Sequence, residues 1–332
     1  MKTYNIAIVG ATGLVGNTFL KVLEEKSYIK INKLYLFASP KSVNKKIIFR
    51  EQEYFIEELT EKNIANKRID YALFSAGANV SLEFAPIFKK YGAIVIDNSS
   101  AWRMNKKVPL VVPQVNPLAC VKHNGIIANP NCSTIQCMAP LKALHNIFNL
   151  TSVKYATYQS VSGSGTKGLK DLENSTKGEP CTFYPHPIFN NCLPHIDNFL
   201  PNGYTKEEMK MVNESKKILS LPRLRVTATC VRVPVQNCHC VDIYAEFKHK
   251  LDLPTVYNTL SHFPSIVIMD NPQQNVYPLP TIATGTDNVY VGRIRLDLNN
   301  PRALHIFCVA DNIRKGAASN ALEIMELLIS KN

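Results

Sequence analysis

Nowhere in these 332 residues does an apolar run approach the length of a membrane span. The first sixteen residues open on Lys2 and an apolar stretch, as a signal peptide would. Gly10, Thr12, Gly13 and Gly16 interrupt that stretch, and no cleavage site follows. A cytoplasmic protein with no membrane partner is the expectation. Long basic runs are missing as well. Lysine and arginine number 38 against 26 acidic residues, a formal +12, but the lysines are scattered and no nucleic-acid signature occurs. That weighs against nucleic acid and leaves phosphorylated small molecules and a phosphorylated cofactor as uses for local positive charge. Metal-ligand spacings are lacking too. In Cys238-His239-Cys240 neighbouring strand residues point to opposite faces, no second pair follows at a suitable interval, and Cys181, His186, Cys192 and His195 form only a loose set. No metal is expected. Internal repeats and low-complexity tracts are absent. The nine cysteines are an odd number in a chain too long to need stapling, so reduced thiols follow. With 45% apolar residues the chain can bury the core of two domains, or of one large one.

What is present begins at residue 4. Tyr4–Val9 is a short buried-strand pattern, followed by Gly10-Ala11-Thr12-Gly13-Leu14-Val15-Gly16 and a helical pattern through Phe19, Leu20 and Leu23. Strand, glycine turn and helix are the context of a dinucleotide-binding turn, in which the backbone approaches a pyrophosphate seated on the helix N-terminus. The spacing is G-x-x-G-x-x-G, a variant of moderate specificity. The second strand, residues 33–38, ends where an NAD-specific protein places an acidic residue on the ribose 2′-hydroxyl. Here Ser39-Pro40-Lys41-Ser42 stands instead, followed by Lys45 and Lys46. Hydroxyls and amines suit a 2′-phosphate, which predicts NADP; an ordinary solvated cluster explains Lys45 and Lys46 equally well. Strand patterns at 70–74 and 93–97 flank a helix near 81–90. They end in Ser75-Ala76-Gly77 and Asn98-Ser99-Ser100, turns that in a parallel sheet line the cofactor crevice. Arg103 lies just beyond the second turn.

The stretch Asn129-Pro130-Asn131-Cys132-Ser133-Thr134-Ile135-Gln136 follows an apolar run, 125–128, and precedes a long amphipathic pattern to Phe148. It reads as strand, tight turn and helix with Cys132 on the first helical turn. There the dipole and free N–H groups favour a thiolate, and the same N–H groups are placed to hold an oxyanion. A buried structural cysteine is the bland alternative. From Val153 the texture changes to longer alternating strands, near 153–161, 223–235, 239–248, 289–298 and 303–310, which predict a mostly antiparallel sheet. Residues 179–203, rich in proline and asparagine, read as irregular; 206–219 and 315–328 read as helices, the last returning to the first domain. A nucleophilic thiol needs a base. His239, opening a strand after Gln236-Asn237-Cys238 and close to Arg232, is the choice among eight histidines.

Taken in order, these motifs resemble the aspartate-semialdehyde dehydrogenases. The likeness runs through Gly10-Ala11-Thr12-Gly13, Asp97–Met104, the Asn129–Gln136 stretch and Tyr158–Gly163. It continues through Gly203-Tyr204-Thr205 to Glu214 and Lys217, then Arg232–His239 and Asp311–Ala318. The resemblance implies an α/β fold: a Rossmann-type dinucleotide-binding domain, 1–130 plus 312–332, and a second α+β catalytic and dimerisation domain, 131–311, built on a mostly antiparallel sheet. It places the nucleophile on Cys132, the acid–base histidine on His239 and a substrate-orienting glutamine on Gln159. The substrate carboxylate falls to Arg232, as bidentate geometry favours, the substrate ammonium to Glu214, and inorganic phosphate to Lys217 with Arg103. Glu214 and Lys217, three apart on a helix, share one face or pair with each other; without the resemblance a surface pair is the plainer reading. Cofactor contacts fall on Gly10, Thr12, Gly13, Leu14, Val15, Ser39, Lys41, Ser42, Ser75, Gly77, Asn98, Ser162, Gly163 and Asn312. The implied reaction is reversible reductive dephosphorylation of L-aspartyl 4-phosphate to L-aspartate 4-semialdehyde with NADPH, in lysine, methionine and threonine biosynthesis, by a homodimer. This chain departs from the family pattern at Cys238, Cys240 and Lys41, where glycine, serine and arginine are usual. The rivals are an N-acetyl-γ-glutamyl-phosphate reductase and a nucleotide- or RNA-binding paralogue without chemistry.

Overall fold

The structure, a computed structural model, describes residues 2–330 and divides into two compact units, Met1–Pro130 with Ala317–Asn332, and Asn131–Gly316. The first unit is a doubly wound sheet. Its elements in order are β1 (Tyr4–Val9), α1 (Leu14–Glu25), β2 (Ile31–Ala38), β3 (Lys46–Phe49), β4 (Gln52–Glu58), α2 (Glu61–Ala65), β5 (Tyr71–Phe74), α3 (Ala78–Lys90), β6 (Ile94–Asp97) and β7 (Ile126–Ala128). The sheet order is β3-β4-β2-β1-β5-β6-β7, parallel except for the β3–β4 pair. The chain leaves β1 toward β2 on one side and later returns to β5 on the other. The turns after β1 and β5 therefore meet at the switch point where such sheets bind ligands. Gly10 shows how closely: at φ +84° its missing side chain would stand 2.9 Å from the Ser75 carbonyl oxygen.

In the second unit α4 (Cys132–Phe148) is followed by β8 (Leu150–Gln159), α5 (Gly165–Thr176), α6 (Lys206–Leu219), β9 (Arg225–Arg232), β10 (His239–Phe247), α7 (Leu253–Ser261), β11 (Ile266–Ile268), α8 (Pro280–Ala283), β12 (Val289–Leu296) and β13 (Ala303–Ala310). The sheet order is β11-β12-β13-β10-β8-β9. The expectation of a mostly antiparallel sheet holds only narrowly. β10 runs antiparallel to β8 and β13, and β12 to β13, but β8–β9 and β11–β12 are parallel. The reason is connection length: α5 and α6 lie between β8 and β9, and a long crossover returns a strand parallel where a hairpin cannot. Residues 179–203 hold no helix or strand, yet Leu193 bridges Arg232 by two backbone hydrogen bonds, 2.9 and 2.8 Å.

A π-helical turn, Arg314–Ala318, leads into α9 (Ser319–Ile329). The helix read at 315–328 thus starts with a widened turn. Leu322, Met325 and Leu328 of α9 join Phe19, Leu23 and Leu73 in the buried core of the first unit. No described helix is long and apolar enough to cross a membrane.

Candidate active site

The first unit presents its glycine turns uncapped. α1 starts from Gly13 and α3 from Gly77 (φ +89°), neither with a side-chain cap. N-terminal N–H groups without a capping side chain are what a pyrophosphate requires, so these residues fit a dinucleotide. Thr12 and Gly13 are exposed, and Leu14 and Val15 open the helix behind them. Ser39, Lys41 and Ser42 sit in a short 3-10 turn at the end of β2, where no acidic residue stands; Lys41 is exposed and Ser42 buried. Lys46 pairs with Glu53 across the β3–β4 hairpin, which draws it into the solvated surface. Ser75 donates its hydroxyl to the Val9 carbonyl, and the Asn98 amide donates to that of Phe74 while accepting from Asn129. Arg103 is buried, with Nε on the Asn129 carbonyl and one Nη on that of Asn98.

The second unit is organised on α4. Asn131 is its N-cap, accepting from the backbone N–H groups of Ser133 and Thr134 at 3.0 and 3.3 Å. Asn131 is in turn gripped by two carboxylates of α6. Its backbone N–H donates to Glu214 at 2.7 Å and its amide to Glu207 at 2.8 Å, residues seven apart and hence on one face of the helix. α6 itself starts in a capping box, Thr205 with Glu208. One consequence amends the expected oxyanion site: the N–H groups of Ser133 and Thr134 already have their acceptor in Asn131.

Cys132 therefore starts the helix in a fixed place, half-buried, with Sγ 3.2 Å from His239 Nε2. Gly316 in the π turn makes room for it, since a Cβ there would lie 2.9 Å from Cys132 Cβ. One turn along α4, Gln136 donates to the His239 carbonyl at 3.1 Å and ties helix to strand. His239 is fully buried. Burial and then the Arg232 guanidinium push its pKa down to about 3, against weaker support from Glu207 and the Cys238 carbonyl. The imidazole is neutral at working pH. Arg232 donates an Nη to the Ser160 carbonyl at 2.6 Å, while its buried Nε has no hydrogen-bond partner among the described residues. Gly163 lies against both: a Cβ there would be 2.9 Å from Arg232 Nη1 and 3.1 Å from His239 Cε1.

Gln159 ends β8 and is buried, its amide donating to Glu207 at 3.2 Å and its oxygen accepting from Thr157. Sequence reading passed over Glu207 and Lys210. Burial alone would raise the Glu207 pKa, but Lys210 and the amides of Asn131 and Gln159 outweigh it and hold the carboxyl down at about 2. Lys210, although burial works against its charge, is raised by Glu207 and Asp197, bonded at 3.0 and 2.9 Å. Glu214 is buried and accepts the Asn131 backbone N–H. Burial lowers the Lys217 pKa and Glu214 partly restores it. Ser162 and Asn312 are joined to each other, and Asn312 also accepts from Ser160 and from the Cys238 N–H. Cys238 has φ +70°, a conformation that favours the glycine usual at this position; burial raises its thiol pKa to about 12, as it does that of Cys240. Cys181, His186, Cys192 and His195 do not assemble: among the described residues no three such ligands could hold a metal.

A buried neutral imidazole 3.2 Å from a helix-terminal thiol, with a guanidinium and an amide beside it, is equipped for acyl transfer through sulfur. Residues 5–123 match the family described as semialdehyde dehydrogenase, NAD binding domain, and residues 141–315 that described as semialdehyde dehydrogenase, dimerisation domain. An aspartate-semialdehyde dehydrogenase of Aquifex aeolicus is 48% identical over 99% of this chain and 98% of its own. The chain belongs to the aspartate-semialdehyde dehydrogenase family. Among solved members, aspartate semialdehyde dehydrogenase II of Vibrio cholerae complexed with ASA superposes with a TM-score of 0.94 at 39% identity, covering 99% of both chains. The Candida albicans enzyme with NADP gives 0.78 at 25%, covering 100% of this chain and 99% of that one. Family membership makes the first unit a nicotinamide-dinucleotide domain of Rossmann type and the protein an oxidoreductase.

Proposed function

We propose that this protein interconverts L-aspartate 4-semialdehyde and L-aspartyl 4-phosphate, with NADP as its dinucleotide, through a thioester on Cys132. The observation that carries the reading is the 3.2 Å approach of Cys132 Sγ to His239 Nε2 at the start of α4, in a chain with relatives of that name. In the oxidative direction the Cys132 thiolate adds to the aldehyde carbon and the carbonyl pair moves to oxygen, giving a thiohemiacetal oxyanion. Loss of hydride from that carbon leaves a thioester, and phosphate displaces the sulfur. When bound, the nicotinamide supplies the hydride acceptor.

The chain's own groups set the register. Arg232, with Nε unpartnered, takes the substrate carboxylate in a two-toothed grip. Gln159 orients the reacting group from the end of β8. For the substrate ammonium Glu214 is the candidate, buried on α6 where it also holds the Asn131 N–H, while Glu207 steadies the Gln159 amide. Lys217, whose charge Glu214 supports, is the candidate for drawing phosphate. NADP is favoured over NAD by Ser39, Lys41 and Ser42 at the end of β2. Ser162, Gly163 and Asn312 are candidates for the cofactor and also shape the loop around His239. A homodimer through the second unit follows from the match to a dimerisation domain, and the β8–β13 face that carries exposed Tyr158 beside Phe307 suits it. Nine free thiols accord with a cytoplasmic setting.

The test is phosphate-dependent NADPH formation from aspartate semialdehyde, run beside NAD⁺ and beside N-acetylglutamate semialdehyde. Turnover of the first substrate with NADP⁺ is expected; activity confined to the acetylated one would move the protein to the reductase rival.

A further inference from the structure

We propose that Tyr184 is a positioning residue for substrate binding: from the segment that follows α5 it fixes the Arg232 guanidinium for the substrate carboxylate. The proposal rests on the reading of Arg232 above and deepens it.

Residues 179–203 hold no helix or strand, yet their first part is pinned in place. The Asp171 carboxylate on α5 accepts from three successive backbone N–H groups, Thr182 at 2.9 Å and Phe183 and Tyr184 at 2.8 Å each, and from the Thr182 hydroxyl at 3.2 Å. Successive N–H groups turned toward one point make an anion cradle, here filled by the protein's own carboxylate. Burial works to raise the Asp171 pKa, but those donors outweigh it and hold the carboxyl below its ordinary value. The irregular segment thus leaves α5 along one fixed path, and Tyr184 is the last residue so held.

Tyr184 turns back toward the site. Its phenol donates to the Ser164 hydroxyl at 3.0 Å, at the end of the short 3-10 turn Val161–Ser164. Gly168 in α5 makes room, since a Cβ there would lie 2.6 Å from the phenol oxygen. The ring packs with Val161, Ile188 and Leu193. Burial raises the phenol pKa, so it keeps its proton and donates; Arg232 is close enough to pull that pKa the other way. Both the hydroxyl and the packed ring lead to Arg232. Ser164 follows Gly163, where a Cβ would stand 2.9 Å from Arg232 Nη1, and Leu193 exchanges two backbone hydrogen bonds with Arg232 itself, 2.9 and 2.8 Å. An arginine left free loses rotamer freedom each time it grips a carboxylate, and walls already in place avoid that loss. The buried Nε, without a partner among the described residues, is the donor this arrangement holds ready.

Tyr184→Phe removes the hydroxyl and keeps the ring. In steady-state assays it should raise KM for aspartate semialdehyde by about 3–10-fold, the worth of one hydrogen bond, with kcat within about twofold of wild type. Ser164→Ala should give the same rise, and the double variant no more than either alone. Melting curves run alongside separate this from a packing role, which would lower the melting temperature and leave KM unchanged. Unchanged KM in Tyr184→Phe, a rise confined to KM for NADP⁺, or additive losses in the double variant would overturn the proposal. A second readout needs no turnover. L-2-aminobutyrate, which keeps the carboxylate and ammonium but lacks the aldehyde, should shield Cys132 from iodoacetamide at a concentration about 3–10-fold higher in Tyr184→Phe than in wild type. Equal shielding of the two would also overturn it. A wild type that fails to turn over aspartate semialdehyde would instead fault the substrate assignment, and the shielding would still report on Arg232.

Discussion

Cys132 and His239 are 107 positions apart, yet each was legible in its own few residues. The cysteine sits between a strand pattern and an amphipathic helix, and the histidine opens a strand after a turn, so local order exposed both. Cys132→Ala should abolish turnover while dinucleotide binding, measured by fluorescence titration, survives; retained turnover would place the nucleophile elsewhere. His239→Ala removes the imidazole facing the thiol and should lower kcat by about 10²–10⁴-fold in a steady-state assay. Glu207 was not legible. α6 offers Glu207 with Lys210 and Glu214 with Lys217, both three apart and both on one helical face, and nothing in the residues says which pair meets Gln159. Packing decides it, by bringing Glu207 to two side-chain amides and Glu214 to a backbone N–H. Glu214→Gln should raise KM for aspartate semialdehyde and Lys217→Met that for phosphate in a steady-state assay; unchanged values would move those roles off this pair.

Among elements, the start of α4 concentrates the design: Asn131 caps it, two carboxylates of α6 hold the cap, and Gly316 leaves space for the thiol. The helix start at Cys132 was visible in the sequence, but the Asn131 cap went unread and the π turn that brings Gly316 onto Cys132 has no periodicity to betray it. Gly316→Ala should slow the reaction of Cys132 with iodoacetamide and depress kcat with little change in melting temperature, whereas unchanged alkylation would show that the turn yields. The β3–β4 hairpin escaped notice for a different reason. Its two turn residues, Arg50 and Glu51, both have positive φ, a conformation that usually announces itself as Asn-Gly or Asp-Gly. The parallel β8–β9 pair was likewise hidden, because strand alternation does not encode the direction of the neighbour.

Over the whole molecule, two buried groups make stability fall with acid. His239 has a folded pKa of about 3 against an ordinary 6.5, so the unfolded chain binds its proton first and stability is lost as pH drops from about 6.5 toward 3. Glu207, held at about 2 against 4.5, contributes stability above about pH 4.5 that is lost as pH falls toward 2. Melting temperature should therefore decline below about pH 6.5, and His239→Asn should flatten the part of that decline above pH 4.5; an unchanged slope would assign it to other groups. The division into a nucleotide-binding sheet and a second α/β sheet was readable from the change in strand texture at residue 153, since a parallel buried strand and a longer alternating one differ in pattern.

The central claim is that Cys132 carries the acyl group. It is tested most directly by mixing the enzyme with aspartate semialdehyde and NADP⁺ without phosphate, quenching in acid, and locating the mass gain by peptide mass spectrometry. The account predicts a single burst of NADPH and an aspartyl thioester on the peptide containing Cys132, discharged when phosphate is added. A burst with that peptide unmodified, or an acyl group found on another cysteine, would contradict it.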